Sequence, residues 1–503
     1  MKKQKNKRRF KNSKFKDYNL SHISDLNNKS GSLTSGWNSI PNGKSVSWME
    51  DAIPNYLWAI LLAGNLPRED TLHLFRSVIN RAATRHLTDS SITMLELPNI
   101  NPDDKLYIFE EILMNPAAKR ILSALNFLEC LPDKIFWNTT YDILPENESI
   151  DILAKGVYES LDHQSQSATD VRWLFLMYEI VARQKMILTG EPSGLFQYFL
   201  EYPNKGDMRS VRPMIRSAEI AFRAMNSEGN KKIRQFNIEF WKECFDRTPC
   251  LIPKPIIQNK LDVQELTVDA TAIYLEVVNS FKMNNSDFDA KREVVYGSIM
   301  YAFTVYLEII SYKNYFRIAG TSLLRILVEI YINLKYLTHR QDATLWEKFY
   351  KYGIGKCKQI FLKSIEKEDN ELPEYINVEN LYNYASENGW IEMQDIDLGD
   401  WGKTSLRDRA IESSIKDFYD KHYDFLSAFS HGQWGALRQT VFTTCMNPLH
   451  KVHIVPKISP SIGIESVHIE ATKIMNLLLE LLNQNYPPFK PRFTSFHKTK
   501  EAK

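Results

Sequence analysis

Along almost the whole chain, apolar residues recur at spacings of three and four, and alternating apolar–polar runs are scarce. That period fills one face of a helix and cannot fill one face of a strand, where side chains change sides at every residue. An all-α architecture follows. With 503 residues, 44% of them hydrophobic, the chain is long enough for roughly two to four domains with cores of their own. No period of about 20–50 residues repeats, so a solenoid is not expected.

The punctuation suggests how the helices group. A basic and polar arm over 1–45 should lack fixed structure, and helices over 46–246 should form an N-terminal domain. Within it, SWMEDAIPNYLWAILLAG offers Ser47 as an N-cap and Gly64 as a stop. Pro249, Pro253 and Pro255 then mark a linker over 247–262, because repeated prolines end helices and favour extended backbone. A C-terminal bundle is predicted over 263–485, with long helices near 263–283, 290–312, 315–338, 405–440 and 465–484. Residues 486–503 read as a loose tail.

Charge is uneven. MKKQKNKRRFKNSKFK holds nine basic residues between Lys2 and Lys16 and no acid, leaving 54 basic against 61 acidic residues after it. Any affinity for RNA or another polyanion should therefore sit in this arm. The arm has no apolar core of a secretory signal behind it. The best candidate for a membrane span, Val294–Leu307, is 14 uncharged residues, short of the ~18–20 that span a bilayer. A cytoplasmic protein without a membrane partner is the expectation.

Five cysteines (130, 244, 250, 357, 445) lie far apart and match no common zinc spacing. They read as reduced thiols. His450 and His453, in LHKVH between Pro448 and Pro456, read as loop histidines. No cofactor and no metal is expected, and phosphate-loop, dinucleotide, zinc-protease and nucleophile-elbow motifs are absent.

Two helical faces carry clustered polar groups. On 321–338, Leu323, Leu327, Ile330, Leu334 and Leu337 form an apolar stripe, with Arg325 and Glu329 opposite. On 418–438, read as one helix, Phe418, Phe425 and Phe429 share a face with Gly432, where a missing side chain would admit a neighbouring helix. Asp420, Asp424, Ser427 and His431 lie opposite.

RILVEIYINLKYL, a later Trp401 with SLRDRAIE, and YDFLSAFSHGQW together resemble an uncharacterised bacterial family of helical domains, over about 300–440. Its pattern is Arg, three residues, Glu on one helix, then Tyr-x3-Ser-x3-His-Gly on another. By position the resemblance singles out Arg325, Glu329, Tyr423, Ser427 and His431, and implies that the two polar faces meet. In architecture alone the domain is similar to HEPN-like toxin and phage-defence domains, many of them ribonucleases marked by Arg, four to six residues, His. His431 lacks that Arg, while Arg81 and His86 have the spacing by a coincidence expected in a chain of this length.

Two functions are compatible with this pattern. A defence or stress-response effector acting on RNA or a nucleotide would use His431 as general acid or base, Arg325 as phosphate clamp and Glu329 as orienting group, with Tyr423 and Ser427 in support. A non-catalytic ligand- or protein-binding module, alone or as a homodimer, would use the same groups as a satisfied packing network.

Overall fold

A computed structural model of the chain describes residues 26–29, 32–34, 47–185, 194–226, 231–253, 263–284, 289–367, 372–387, 389–457 and 466–494. Most of the basic arm lies outside these residues. The fold is all-α, as the apolar spacing requires; strands among the described residues are three-residue pieces such as Asn27–Lys29 and Ser32–Thr34. The chain forms two compact units. The first comprises residues up to Pro253 together with Thr444–Ile454, and the second comprises Lys254–Thr443 and Val455–Lys503. The segment Thr444–Ile454 thus leaves the predicted 263–485 bundle and completes the first unit.

The first unit starts where Ser47 caps a helical segment, its hydroxyl accepting from the Glu50 amide at 3.1 Å. Helix Leu57–Asn65 is the centre of this core, with Leu57 to Leu62 all fully buried. It crosses helix Glu146–Leu161 at a pair of glycines. A Cβ on Gly64 would lie 2.6 Å from the Gly156 Cα, and one on Gly156 would lie 2.8 Å from a Leu61 methyl. Gly64 therefore stands inside its helix as a packing residue, and Leu66, in extended conformation, supplies the stop.

The second unit is built on helices Gln264–Met283, Ala290–Ser311, Ile318–Arg340, Ala343–Ile365 and His468–Asn485. Ala290–Ser311 is long and apolar enough by composition to cross a membrane, yet 56% of its most apolar window is buried within the bundle. On Ile318–Arg340, Leu327, Leu334 and Leu337 are buried as predicted, whereas Leu323 and Ile330 are half-buried. Leu324, Val328, Tyr331 and Ile332 are buried as well, because packed neighbours cover more than one stripe. The expected loose tail is corrected for residues 486–494. Phe489 and Phe493 are buried in this core, and the Asn476 side chain holds both the amide and the carbonyl of Phe493, at 2.9 and 3.1 Å.

Candidate functional site

Arg325 and Glu329 lie one turn apart on helix Ile318–Arg340, and their guanidinium and carboxylate meet at 2.8 Å. The same Arg325 nitrogen donates to the Tyr423 hydroxyl at 2.9 Å, and the guanidinium lies 5.1 Å from the Tyr423 ring centroid. Tyr419 stacks on Tyr423, 4.8 Å between centroids. Partial burial works against the charge on Arg325, but the tyrosine hydroxyl and Glu329 outweigh it and raise its pKa. Arg325 is thus committed to a carboxylate and a phenol through one terminal nitrogen, while its Nε has no acceptor among the described residues.

The helix carrying Tyr423 ends sooner than its periodicity suggests. Residues 418–438 are two helices, Lys416–Ser430 and Trp434–Thr440. Gly432 adopts φ +59° and the Gln433 amide reaches back to the Ala428 carbonyl at 2.9 Å. That is the Schellman closure, in which glycine takes the left-handed position just past a helix. The presence of a glycine beside His431 is thereby explained: Gly432 terminates. A Cβ there would meet nothing within 4 Å, so the predicted close approach of another helix is corrected. Phe425, placed on the apolar face, is 55% exposed.

His431 caps this helix, its amide bonded to the Ser427 carbonyl at 3.1 Å, and its side chain is exposed. Eight residues separate it from Tyr423, about 12 Å along a helix. The structure thus joins Arg325, Glu329 and Tyr423. Among the described residues no hydrogen bond, ion pair or ring contact links Ser427 or His431 to them.

Nearby, Arg409 is a polar anchor that sequence reasoning missed. Its guanidinium is buried 4.1 Å from the Trp401 ring centroid, donates to Asn333 Oδ1 at 2.8 Å and the Thr404 carbonyl at 3.0 Å, and pairs with Asp400. Asp400, Trp401 and Thr404 are local, but they lie in an irregular loop rather than on a helix face, and Asn333 comes from a distant helix, so helical spacing does not announce it.

The first unit holds a cavity of about 820 Å³ that sequence reading did not foresee. Helix Met208–Asn226 presents Glu219 and Arg223 to it, one turn apart, and helix Lys231–Arg247 presents Asn237 and Trp241. Tyr56 stacks on Phe175 in its wall, centroids 3.7 Å apart and planes 11° apart. Glu219 is the hub. It accepts from the Tyr56 hydroxyl at 2.8 Å and pairs with Arg223 at 3.0 Å and Arg172 at 3.3 Å. Burial pushes the Arg172 guanidinium down to about 10 despite Glu219, and burial, with Glu219 beside it, raises Tyr56.

Three donors of residues in this wall, each buried beneath the cavity surface, have no acceptor among the described residues: a terminal nitrogen of Arg223, Nδ2 of Asn237 and Nε1 of Trp241. Their other positions are committed. Arg223 gives its second terminal nitrogen to the Ser47 carbonyl at 3.0 Å, and Asn237 Oδ1 accepts from Asn55 at 3.2 Å. Buried donors are rarely left unpaired, and each costs about 1–3 kcal/mol when they are. Acidic and basic side chains lining the cavity balance, five of each, so its walls do not select a highly charged guest.

Also in the first unit, four metal-ligating side chains converge: Cys250, Cys445, His450 and His453. Reading His450 and His453 as loop histidines overlooks Cys445, which is close in sequence, and cannot see Cys250, which is not. Cys445 stands five positions before His450, and folding adds Cys250 from two hundred positions earlier.

A model of a family of unknown function, DUF5677, matches residues 293–445. The match takes in Arg325, Glu329, Tyr423, Ser427 and His431, and extends a little beyond the 300–440 covered by the resemblance. No curated protein and no solved structure matches the chain.

Proposed function

We propose that the protein is a non-catalytic binding module whose first unit takes up one small amphipathic molecule, with an apolar, preferably planar body and a carboxylate end. The observation that carries this reading is the cavity itself, lined by the Tyr56–Phe175 stack and by Arg223, Asn237 and Trp241, whose buried donors lack acceptors just beneath its surface. Three N–H groups call for acceptor oxygens, and the Tyr56–Phe175 stack with Leu176, Phe222 and Ile238 offers the body an apolar surface. The volume falls in the ordinary range for small-molecule sites, about 300–1,000 Å³. In the second unit, the Arg325–Glu329–Tyr423 network is read as packing support.

The test is a thermal-shift panel of aromatic and medium-chain carboxylates beside their matched alcohols. A ligand at a hundred times its Kd should stabilise by about 2.7 kcal/mol. Carboxylates are expected to raise the midpoint, alcohols to do so less, and Asn237→Leu and Trp241→Phe to remove the difference. A panel that leaves wild type and both variants unmoved would discard this ligand class.

The second reading is a cytosolic effector that acts on RNA or a nucleotide in bacterial defence. It is favoured by the exposed His431 ring, which has no hydrogen-bonding partner among the described residues. It requires Arg325 to exchange Glu329 and Tyr423 for phosphate. Expressing wild type and His431→Ala should then give different growth and RNA integrity. Identical cultures, with both proteins folded, remove His431 from catalysis.

A further inference from the structure

The loop after Cys445 is bent sharply. Pro448–His450 forms a single tight turn, and Lys451 and Val452 both follow with positive φ, 53° and 55°. A β-branched residue in that region is an outlier. The bend returns His453 to the Cys445 backbone, whose amide donates to the His453 carbonyl at 2.9 Å. Leu449 is fully buried in the first unit's core, and the Met446 amide donates to the Leu251 carbonyl at 2.7 Å. The loop is thereby docked on the segment that carries Cys250.

The two rings are oriented by their outer nitrogens. His450 Nε2 lies 3.1 Å from the Thr248 carbonyl, an acceptor only, so this nitrogen carries the proton and Nδ1 presents its lone pair. His453 Nδ1 lies 3.1 Å from the His450 carbonyl, which by the same logic leaves Nε2 with the lone pair. Those lone pairs face sulfur. Nδ1 of His450 is 3.5 Å from Sγ of both Cys250 and Cys445, and Nε2 of His453 is 3.6 Å from Sγ of Cys250. All four ligand atoms lie within 4.8 Å of one another.

Two thiols directed at one imidazole lone pair make a poor hydrogen-bond arrangement, since only one can donate. Around a metal the same arrangement is required. Zinc bound tetrahedrally, at about 2.3 Å to sulfur and 2.0–2.1 Å to nitrogen, sets sulfur and nitrogen roughly 3.5–3.6 Å apart. The carbonyl contacts that fix each ring are the outer-shell partners that metal-bound histidines ordinarily have.

We infer that Cys250, Cys445, His450 and His453 form a structural Zn2+ site that fastens the Thr444–Ile454 segment to the first unit. Two thiols and two imidazoles suit zinc, and four protein ligands leave no open position for a substrate. On binding, each thiol gives its proton to solvent as its sulfur–zinc bond forms, and both imidazoles bind neutral. Two thiolates then balance the charge of the ion. This site is separate from the cavity donors and does not depend on the ligand proposed for them.

Full-length protein, stripped with a chelator and titrated with Zn2+, is expected to take up one zinc per chain by elemental mass spectrometry. Co2+ in its place should show the visible absorption of a tetrahedral thiolate complex. Cys250→Ser alters an exposed side chain, so the fold should survive. It should weaken zinc binding by more than the roughly 10–100-fold that loss of an outer-shell partner costs, as should Cys445→Ser. Cys357→Ser, outside the cluster, should bind as wild type. The inference is overturned if the folded, stripped chain takes up less than one equivalent in excess Zn2+. It is overturned equally if Cys250→Ser and Cys445→Ser hold zinc as tightly as wild type.

Discussion

Glu219→Gln is expected to destabilise the first unit by about 3–5 kcal/mol, the usual cost of removing one partner from a buried ion pair. Glutamine keeps the shape and an oxygen that can still accept from Tyr56, so the change isolates the charge. Glu219 is 2% exposed and lies between Arg172, 1% exposed, and Arg223. Without the carboxylate, two guanidinium groups share a buried site with no anion between them. Arg172 already feels that burial, since its pKa lies below the arginine norm. In a unit of this size, about 1 kcal/mol moves the midpoint by roughly 2–4 °C. Calorimetry should therefore show that unit melting some 6–20 °C lower, by the same scaling. A loss under about 0.5 kcal/mol, within the range of an ordinary surface change, would mean that the carboxyl is not the counter-charge described here.

Gly64→Ala should be destabilising as well, by about 1–3 kcal/mol, the typical cost of overpacking. In an open helix the same change gains about 1 kcal/mol, because alanine has the higher helix propensity. The sign therefore reports on packing. At Gly64 a methyl would press on the Gly156 backbone at 2.6 Å, and a backbone atom cannot swing aside as a side chain can. Helices Leu57–Asn65 and Glu146–Leu161 would have to separate along a fully buried seam that includes Leu61, Leu153 and Val157. Gly297 is the control. It is exposed on helix Ala290–Ser311, and a methyl placed there would meet nothing within 4 Å, so Gly297→Ala should stabilise. Chemical denaturation of both variants tests the contrast, and a stabilised Gly64→Ala would refute the close crossing.

Local features of the fold are legible in the sequence and long-range ones are not. Helical spacing gives the class, Ser47 a helix start, and Arg325 with Glu329 an ion pair, because each needs only residues within one turn. The helix stop at Gly432 is hidden for a different reason. Apolar positions before and after it stay in phase on a helical wheel, so periodicity continues through a break that the glycine itself marks. Gly64 reads as a stop because its partner, Gly156, stands 92 positions away in the sequence. The candidate sites follow the same division. Tyr423 is reachable through family resemblance, whereas the cavity is assembled from helices that share no motif. The cysteine–histidine cluster combines a visible His450–His453 pair with Cys250, which only the fold brings near.

The membership of Thr444–Ile454 in the first unit has a consequence for biosynthesis. Leu449, a fully buried part of that unit's core, is 196 positions beyond Pro253. At about 5–20 residues per second, translation delivers it roughly 10–40 s after the rest of the unit is made. During that interval the nascent N-terminal half has an exposed apolar gap in its surface. A ribosome must therefore add 196 residues after Pro253 before the first unit can close, and a fragment cut at residue 253 would retain that gap permanently.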